Sequence, residues 1–455
     1  MAVISATPSD LVPGFAETDA AWPRPAYAWY VICVLTAAST FALLDRVAIG
    51  LMVDPIKRDL HMTDTQMGIL QGLAFAIFYS LFGLPVGYLV DRWRRVRLLS
   101  LGVVAWSAAT MACGLAQSYV ALFLARITVG AGESVGTPSS VSLISDYFSP
   151  ANRARAMGAF MVAGAVGQAM AYLIGGVAIG AAAGLRAAAA PVFGAMADWQ
   201  ITFLLIGLPG FVIAFLVAFT VREPVRRERM SSKRAPIGAL WTQLQANRGA
   251  YAALILGAVS NAAVIAAQIG WFPSLFARVH HWTPTHIGTV FALVGFPCGL
   301  SSALSAGWIM SWLARRGRTD GPILVMLGQA LVWSIFGPLK ALAPTPTLAL
   351  LAHIPTAMTA IWSATAALTA LNQITPNELR GQVIAISSIM TGLVAYSIGA
   401  ASVGVMNDHL FPGAGGIGLS LSCVYVVCGV ASVSILASGR QAFTGSVARI
   451  RWGLS

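Results

Sequence analysis

Four ionised side chains lie inside runs apolar enough to cross a bilayer: Asp45 and Arg46 in the first run, Arg126 and Glu133 in the fourth. A charge at the centre of a membrane helix costs about 2.5–3.5 kcal/mol on insertion scales, so four cost on the order of 10 kcal/mol. A chain keeps such groups when they face water, a ligand or one another. Buried carboxylates can exchange protons, and guanidinium groups can hold anions. Arg126 and Glu133 are seven residues apart, two turns on one helix face and about 10 Å along the axis. Asp45 and Arg126 each fall about 12–14 Å below the same end of their runs, so an ion pair across a central passage is allowed, and Glu133 lies about 22 Å in. Arg46 and the second carboxylate are then surplus to one closed pair. Protons and a substrate could compete for these groups, with Arg46 and Arg126 as candidate anion holders.

The elements that must position these groups follow from composition. The chain is 57% hydrophobic and 10% charged, with a mean hydropathy of +0.77. Soluble domains carry about 25% charged residues. Apolar runs can be marked at 27–53, 65–89, 97–117, 118–147, 153–182, 200–222, 251–278, 284–314, 320–342, 345–374, 379–407 and 416–438. In lipid every backbone amide must be satisfied within its own segment, so these are helices. The class is an all-α integral membrane protein with twelve spans. The organisation read from the chain is a cytoplasmic tail (1–26), a six-helix bundle (27–222), a cytoplasmic linker (223–250), a second six-helix bundle (251–438) and a cytoplasmic tail (439–455). The polar N-terminus lacks a basic segment followed by an apolar core, so it does not read as a signal peptide. Gly184 to Trp199 reads as an irregular connection.

The halves resemble each other. Met62 to Gly68 (MTDTQMG) aligns with Trp282 to Gly288 (WTPTHIG) at an offset of 220 residues, and the same offset carries Gly87–Arg95 onto Gly307–Arg315. Arg153 to Arg380 has an offset of 227, so a small insertion intervenes. An internal duplication places a site at the interface of the halves. With both termini cytoplasmic, 21 basic residues lie on that side, five outside (Lys57, Arg58, Arg186, Arg278, Lys340) and two within helices. This satisfies the positive-inside rule. The net charge of +12 is therefore an orientation signal spread over loops and excludes a nucleic-acid stripe. The five cysteines lie in apolar runs without metal spacing, and neither a nucleophile elbow nor a phosphate loop is present, so no metal, cofactor or enzymatic chemistry is expected.

After the second run the chain reads Gly87-x-x-x-Asp91-Arg92-x-Arg94-Arg95. This resembles the signature of the major facilitator superfamily, with Arg94 standing where glycine is usual and Val96 where a base is usual. The resemblance implies the major facilitator fold, two pseudo-symmetric six-helix bundles. Gly87 would let two helices touch. Asp91 would face a helix N-terminus, and Arg92 and Arg95 would pair with carboxylates, Asp146 being a candidate. Arg153 and its echo Arg380 would complete a latch on the cytoplasmic side. Within the superfamily, Asp45-Arg46, Gly68-Ile-Leu-Gln71, Arg126-x-x-x-Gly-x-Gly-Glu133 and Ser142-Leu-Ile-Ser-Asp146-Tyr-Phe148 are similar to spinster-like transporters over residues 41–176. That resemblance implies proton-linked transport of amphipathic lipids such as lysophospholipids or sphingosine phosphate, with Asp45 and Glu133 as the protonatable, proton-coupling sites.

Further candidates for lining a cavity are Gln168 on the fifth run, Asn261 and Gln268 on the seventh, and Trp362 on the tenth. For each alone, helix-to-helix hydrogen bonding or packing is an equal reading. Charged side chains are absent from the cores of runs seven to twelve, which suggests an apolar wall facing a charged one. The preferred function is a proton-linked carrier of an amphipathic anion working by alternating access, in the plasma (inner) membrane and as a monomer, with membrane lipids as surroundings and protons in place of a cofactor. The alternatives are an organic-anion symporter and, more remotely, a receptor without flux.

Overall fold

A computed structural model describes residues 22–226 and 237–451. The tail residues 1–21 and 452–455 and the linker core 227–236 lie outside the described residues. Among those described, eleven helices are long and apolar enough to cross a membrane. The first is Pro25–Leu51, the third Arg95–Gly114, the fifth Pro150–Ala188 and the sixth Asp198–Thr220. The seventh is Arg248–Val279, the eighth Pro284–Arg315, the ninth Gly321–Ala341 and the twelfth Gly416–Arg451. The second is built from Asp64–Gln71 and Leu73–Arg92, the tenth from Pro346–Ala357 and Trp362–Ile374. The eleventh runs from Asn377 to His409 through a π-helical turn at Met390–Ala395. The twelfth crossing is the fourth span, folded as Tyr119–Glu133 and Gly136–Tyr147 and broken at Ser134 and Val135.

The helix starts show why the halves match. Thr63 caps the second span by accepting from the Gln66 amide, and Thr283 caps the eighth from the His286 amide. Ser118 and Thr345 cap the fourth and tenth in the same way. A hydroxyl at this position satisfies an amide that the helix leaves unpaired. The first pair of caps is 220 residues apart and the second 227, while the second and eighth spans start at Asp64 and Pro284 and the third and ninth at Arg95 and Gly321. The insertion inferred from the sequence therefore lies in the longer connection between the eighth and ninth spans. His61 and His281, also 220 apart, are the two described non-glycine residues with positive φ (51° and 56°), each just past a helix end.

Some boundaries differ from the sequence reading. The fifth helix continues to Ala188, because its alanine run is helix-favouring, and only Ala190–Phe193 forms a separate turn. Ile237–Ala246 of the linker is helical, and the last helix extends to Arg451, burying Phe443 and Val447 against the second bundle.

Glycines settle how the bundles meet. A Cβ added at Gly68 would lie 2.6 Å from the Ala400 carbonyl oxygen, and one at Gly288 would lie 2.5 Å from that of Tyr172. Each is backbone of the opposite half, so the second span presses on the eleventh and the eighth on the fifth. At Gly87 and Gly307, towards the end that carries the termini, an added Cβ meets nothing within 4 Å. Gly87 thus does not serve as a helix contact in this structure. The bundles thus press backbone on backbone at the end away from the termini, whereas Gly87 and Gly307 face open space.

Candidate functional site

The first span carries Asp45 and Arg46 in succession, and adjacent helical residues point about 100° apart. They consequently reach different levels of the fourth span. Asp45 Oδ2 pairs with Arg126 Nη1, and its Oδ1 accepts from the Thr110 hydroxyl at 3.2 Å. Arg46 Nη2 pairs with Glu133 Oε2 at 2.5 Å. The Asp45–Arg126 pair is the one that depth along the helices anticipated. The Arg46–Glu133 pair is a correction: Arg46 is not surplus, and the four charges close as two ion pairs. Glu133 comes into reach because Gly130 lies against the Phe75 carbonyl and Gly132 against the Trp106 amide, which lets the fourth span sit close to its neighbours just before it breaks.

The two pairs differ in exposure. Asp45, Arg126 and Glu133 are buried, whereas the Arg46 side chain is 25% exposed. Its guanidinium lies 4.1 Å from the centre of the Phe75 ring and 5.6 Å from that of Tyr79. It borders a cavity of about 60 Å³ between the halves, lined also by Gln71, Arg126 and Gln168 of the first bundle and by Ile269 and Tyr396 of the second. On the side towards the termini Arg46 and Glu133 border a second space of about 230 Å³ with Tyr79, Thr137 and Ser140. Several buried polar atoms here lack a protein partner: Glu133 Oε1, Arg46 Nε, Arg126 Nε, Gln168 Nε2 and both amide atoms of Gln71. Buried polar groups are almost always bonded, so a concentration of unbonded ones marks a place for water or ligand. Gln71 was not singled out from sequence; its place in the Gly68–Gln71 motif was the available signal.

Three anticipated cavity residues lie elsewhere. Asn261 is buried and donates to the Met326 carbonyl at 3.3 Å and the Ser363 hydroxyl at 3.0 Å. Trp362 Nε1 donates to Ser305 at 2.8 Å, tying the tenth span to the eighth. Gln268 accepts from Lys340 at 2.6 Å and from the Tyr425 hydroxyl at 2.7 Å. All three are packing groups of the second bundle. Lys340 itself corrects two expectations, since it is fully buried and sets a basic side chain inside the second bundle.

The latch also differs from expectation. Arg95 pairs with Asp146, as anticipated, and with Glu223 at 2.9 Å, joining the third span to the fourth and to the chain after the sixth. Arg92 lies over the Tyr88 ring at 4.0 Å. Arg380 donates to the Asn372 carbonyl at 3.1 Å. Arg153 is half-buried in the first turn of the fifth span. The Asp91 side chain lies outside the described residues. These bonds of Arg95 and Arg380 stay within one half, so they do not latch the bundles together here. The inter-bundle lock is at the other end. Arg278 of the seventh span donates to Asp54 at 2.8 Å and to both oxygens of Asp64 at 2.6 and 2.8 Å. Lys57 adds 2.7 Å to Asp64, and Asp408 of the eleventh span accepts from the amides of Asp64 and Thr65 at 3.1 and 2.7 Å, where the helix dipole favours an anion.

The architecture agrees with what the chain resembles. The profile described as Major Facilitator Superfamily matches residues 35–400. A hexuronate transporter of Bacillus subtilis is 29% identical over 209 residues, 45% of this chain and 44% of that protein. Protein spinster of Drosophila melanogaster is 23% identical over 310 residues, 66% of this chain and 48% of that protein. The matched stretch thus spans about half the length of either relative. The crystal structure of a bacterial homologue of the human lysosomal transporter spinster, inward-facing and unoccupied, superposes with a TM-score of 0.75 at 24% identity, covering 94% of this chain and 98% of that one. The helical fold of this chain is therefore shared with a solved membrane-protein structure. The chain belongs to the Major Facilitator Superfamily of membrane transporters, with spinster proteins among its relatives.

Proposed function

We propose that the protein is a proton-linked secondary carrier of an amphipathic anion, working by alternating access, as a monomer with both termini cytoplasmic in the plasma (inner) membrane. The observation that carries the reading is Arg46. It is a cation between two openings, paired with a carboxylate that has one oxygen unbonded, and it lies on aromatic rings. A proton added to Glu133 ends the charge pairing and frees the guanidinium for the anionic end of a substrate. The apolar residues Leu43, Phe75 and Ile269 then accept its hydrocarbon part. Asp45 is the second carboxylate of the set, held by Arg126 and Thr110. The lock at Arg278 and Asp64 supports alternation, because a rocking carrier needs one closed end at a time.

A second reading is supported by the hexuronate transporter among the relatives. In it Arg46 and Arg126 hold the carboxylate of a short, water-soluble acid. Counterflow in proteoliposomes separates the two. Competition by a lysophospholipid and not by glucuronate supports the first reading, and the reverse result supports the second. In either case Glu133→Gln should remove the response of uptake to a pH gradient while exchange persists. An unchanged pH response in both Glu133→Gln and Asp45→Asn would refute proton linkage through these groups.

A further inference from the structure

The basic side chain that the passage does not use is Lys340, one of three lysines in the chain. It is the penultimate residue of the ninth span. A lysine at a membrane helix end ordinarily extends its ammonium to interfacial water. Lys340 does the reverse: it is 0% exposed, and its Nζ lies 4.2 Å from the centre of the Trp333 ring, two turns back along its own helix. The rings of Tyr425 and Phe272 stand at 4.8 and 5.0 Å. Nζ donates to Gln268 Oε1 at 2.6 Å and to Thr356 Oγ1 at 3.0 Å. None of these bonds is to a carboxylate.

The cage is held by its own second bonds. Tyr425 donates to the same Gln268 oxygen at 2.7 Å. Thr356 bonds to the His353 carbonyl at 2.7 Å and lies 3.2 Å from His353 Nδ1. Trp333 donates to Thr359 at 3.1 Å. The titratable groups facing Lys340 are thus Tyr425 of the twelfth span and His353 of the tenth; the seventh contributes Gln268 and Phe272, and the ninth Trp333. Ring faces with two convergent oxygens are the chemistry that recognises an alkylammonium ion.

We propose that this cluster is an alkylammonium-binding cage occupied in cis, with Lys340 as its tethered cation. The second bundle then carries its own positive charge, with no free metal cation required. The occupancy bears on the closed state through the seventh span. Gln268 precedes Ile269, whose carbonyl an added Cβ at Gly50 of the first span would meet at 2.7 Å. The same helix carries Arg278 of the lock in its last turn.

The test is chemical rescue of purified protein, read by thermal unfolding. Lys340→Ala empties the cage and should lower the unfolding temperature. Ethylammonium or propylammonium chloride at tens of millimolar should restore most of the loss by mass action. Propanol and sodium chloride at the same concentration should not. Lys340→Met, which fills the space with an uncharged chain, should show no amine response. Rescue by propanol or sodium, no rescue by the amines, or an equal amine response in Lys340→Met would each overturn the proposal. A second measurement needs no variant. A water-soluble amine-acylating reagent, with modified peptides read by mass spectrometry, should label Lys57 and spare Lys340 in the native protein. Labelling of Lys340 as fast as Lys57 would overturn the tethered cation even if Lys340→Ala could not be purified.

Discussion

Substituting alanine at Gly68 and at Gly288 should open the closed end. The new Cβ at Gly68 would sit 2.6 Å from the Ala400 oxygen and 2.9 Å from the Ala401 Cα; at Gly288 it would sit 2.5 Å from the Tyr172 oxygen and 2.9 Å from the Gly176 Cα. All four are backbone atoms of the opposite half, so no rotamer change relieves them. The bundles must part by several tenths of an ångström or more. Overpacking of this kind costs about 1–3 kcal/mol, and about 1.4 kcal/mol is tenfold in an equilibrium. Each substitution should therefore shift the population away from this state by roughly five- to a hundredfold. Helix propensity works the other way, since alanine favours a helix over glycine by about 1 kcal/mol, so loss of helix stability cannot imitate the effect. Spin labels at exposed Arg58 and His286, in a cysteine-free background, would report the distance across the closed end by pulsed electron resonance. A longer component is expected in both variants. Gly87→Ala and Gly307→Ala, where the Cβ meets nothing within 4 Å, should leave the distribution unchanged. A single short distance in well-folded Gly68→Ala and Gly288→Ala would refute the assignment of these contacts as the bundle interface.

Other consequences follow from the ion pairs. Asp45→Asn leaves Arg126 buried without its counter-charge and should destabilise the protein by about 3–5 kcal/mol in thermal unfolding, with part of the loss recovered by adding Arg126→Gln. Arg278→Ala removes the cation shared by Asp54 and Asp64 and should lengthen the same spin-label distance without moving the unfolding midpoint as far as Asp45→Asn does. Asp320, outside the spans, accepts from Arg318 at 3.0 Å and from Arg440 at 2.6 Å. Its hydrogen bond from Arg318, opposed by partial burial and aided by Arg440, holds its carboxyl below the ordinary carboxylate range. A depressed carboxylate stabilises above the unfolded value and loses that contribution as pH falls through the folded one. Asp320→Asn should accordingly cost under about 1 kcal/mol at neutral pH, since both arginines are largely exposed, and nothing in strong acid.

Residues whose meaning depends on position along one helix were readable from the chain. The apolar runs give the spans, the aligned segments Met62–Gly68 and Trp282–Gly288 mark the repeat, and equal depth allows Asp45 to pair with Arg126. Residues whose meaning depends on another helix were not. The Arg46–Glu133 pair needs the angle between the first and fourth spans, which the glycines at 130 and 132 set through contacts with Phe75 and Trp106. Lys340 read as an outer-loop base because it lies one residue from a helix end. Only the surrounding rings and Gln268 turn it inward.

The chain by itself thus determined the architecture, because the bilayer imposes a length and a backbone-bonding rule that hydropathy reports directly. It also determined that charges are buried in the first bundle, because their cost makes them conspicuous wherever they occur. Tertiary structure decided which charges pair and which end of the bundles is closed. Packed helices can take more than one arrangement with the same sequence, and such arrangements differ in which inter-bundle contacts are made. In this one the contacts made are those of Arg278 with Asp64 and of Gly68 with Ala400.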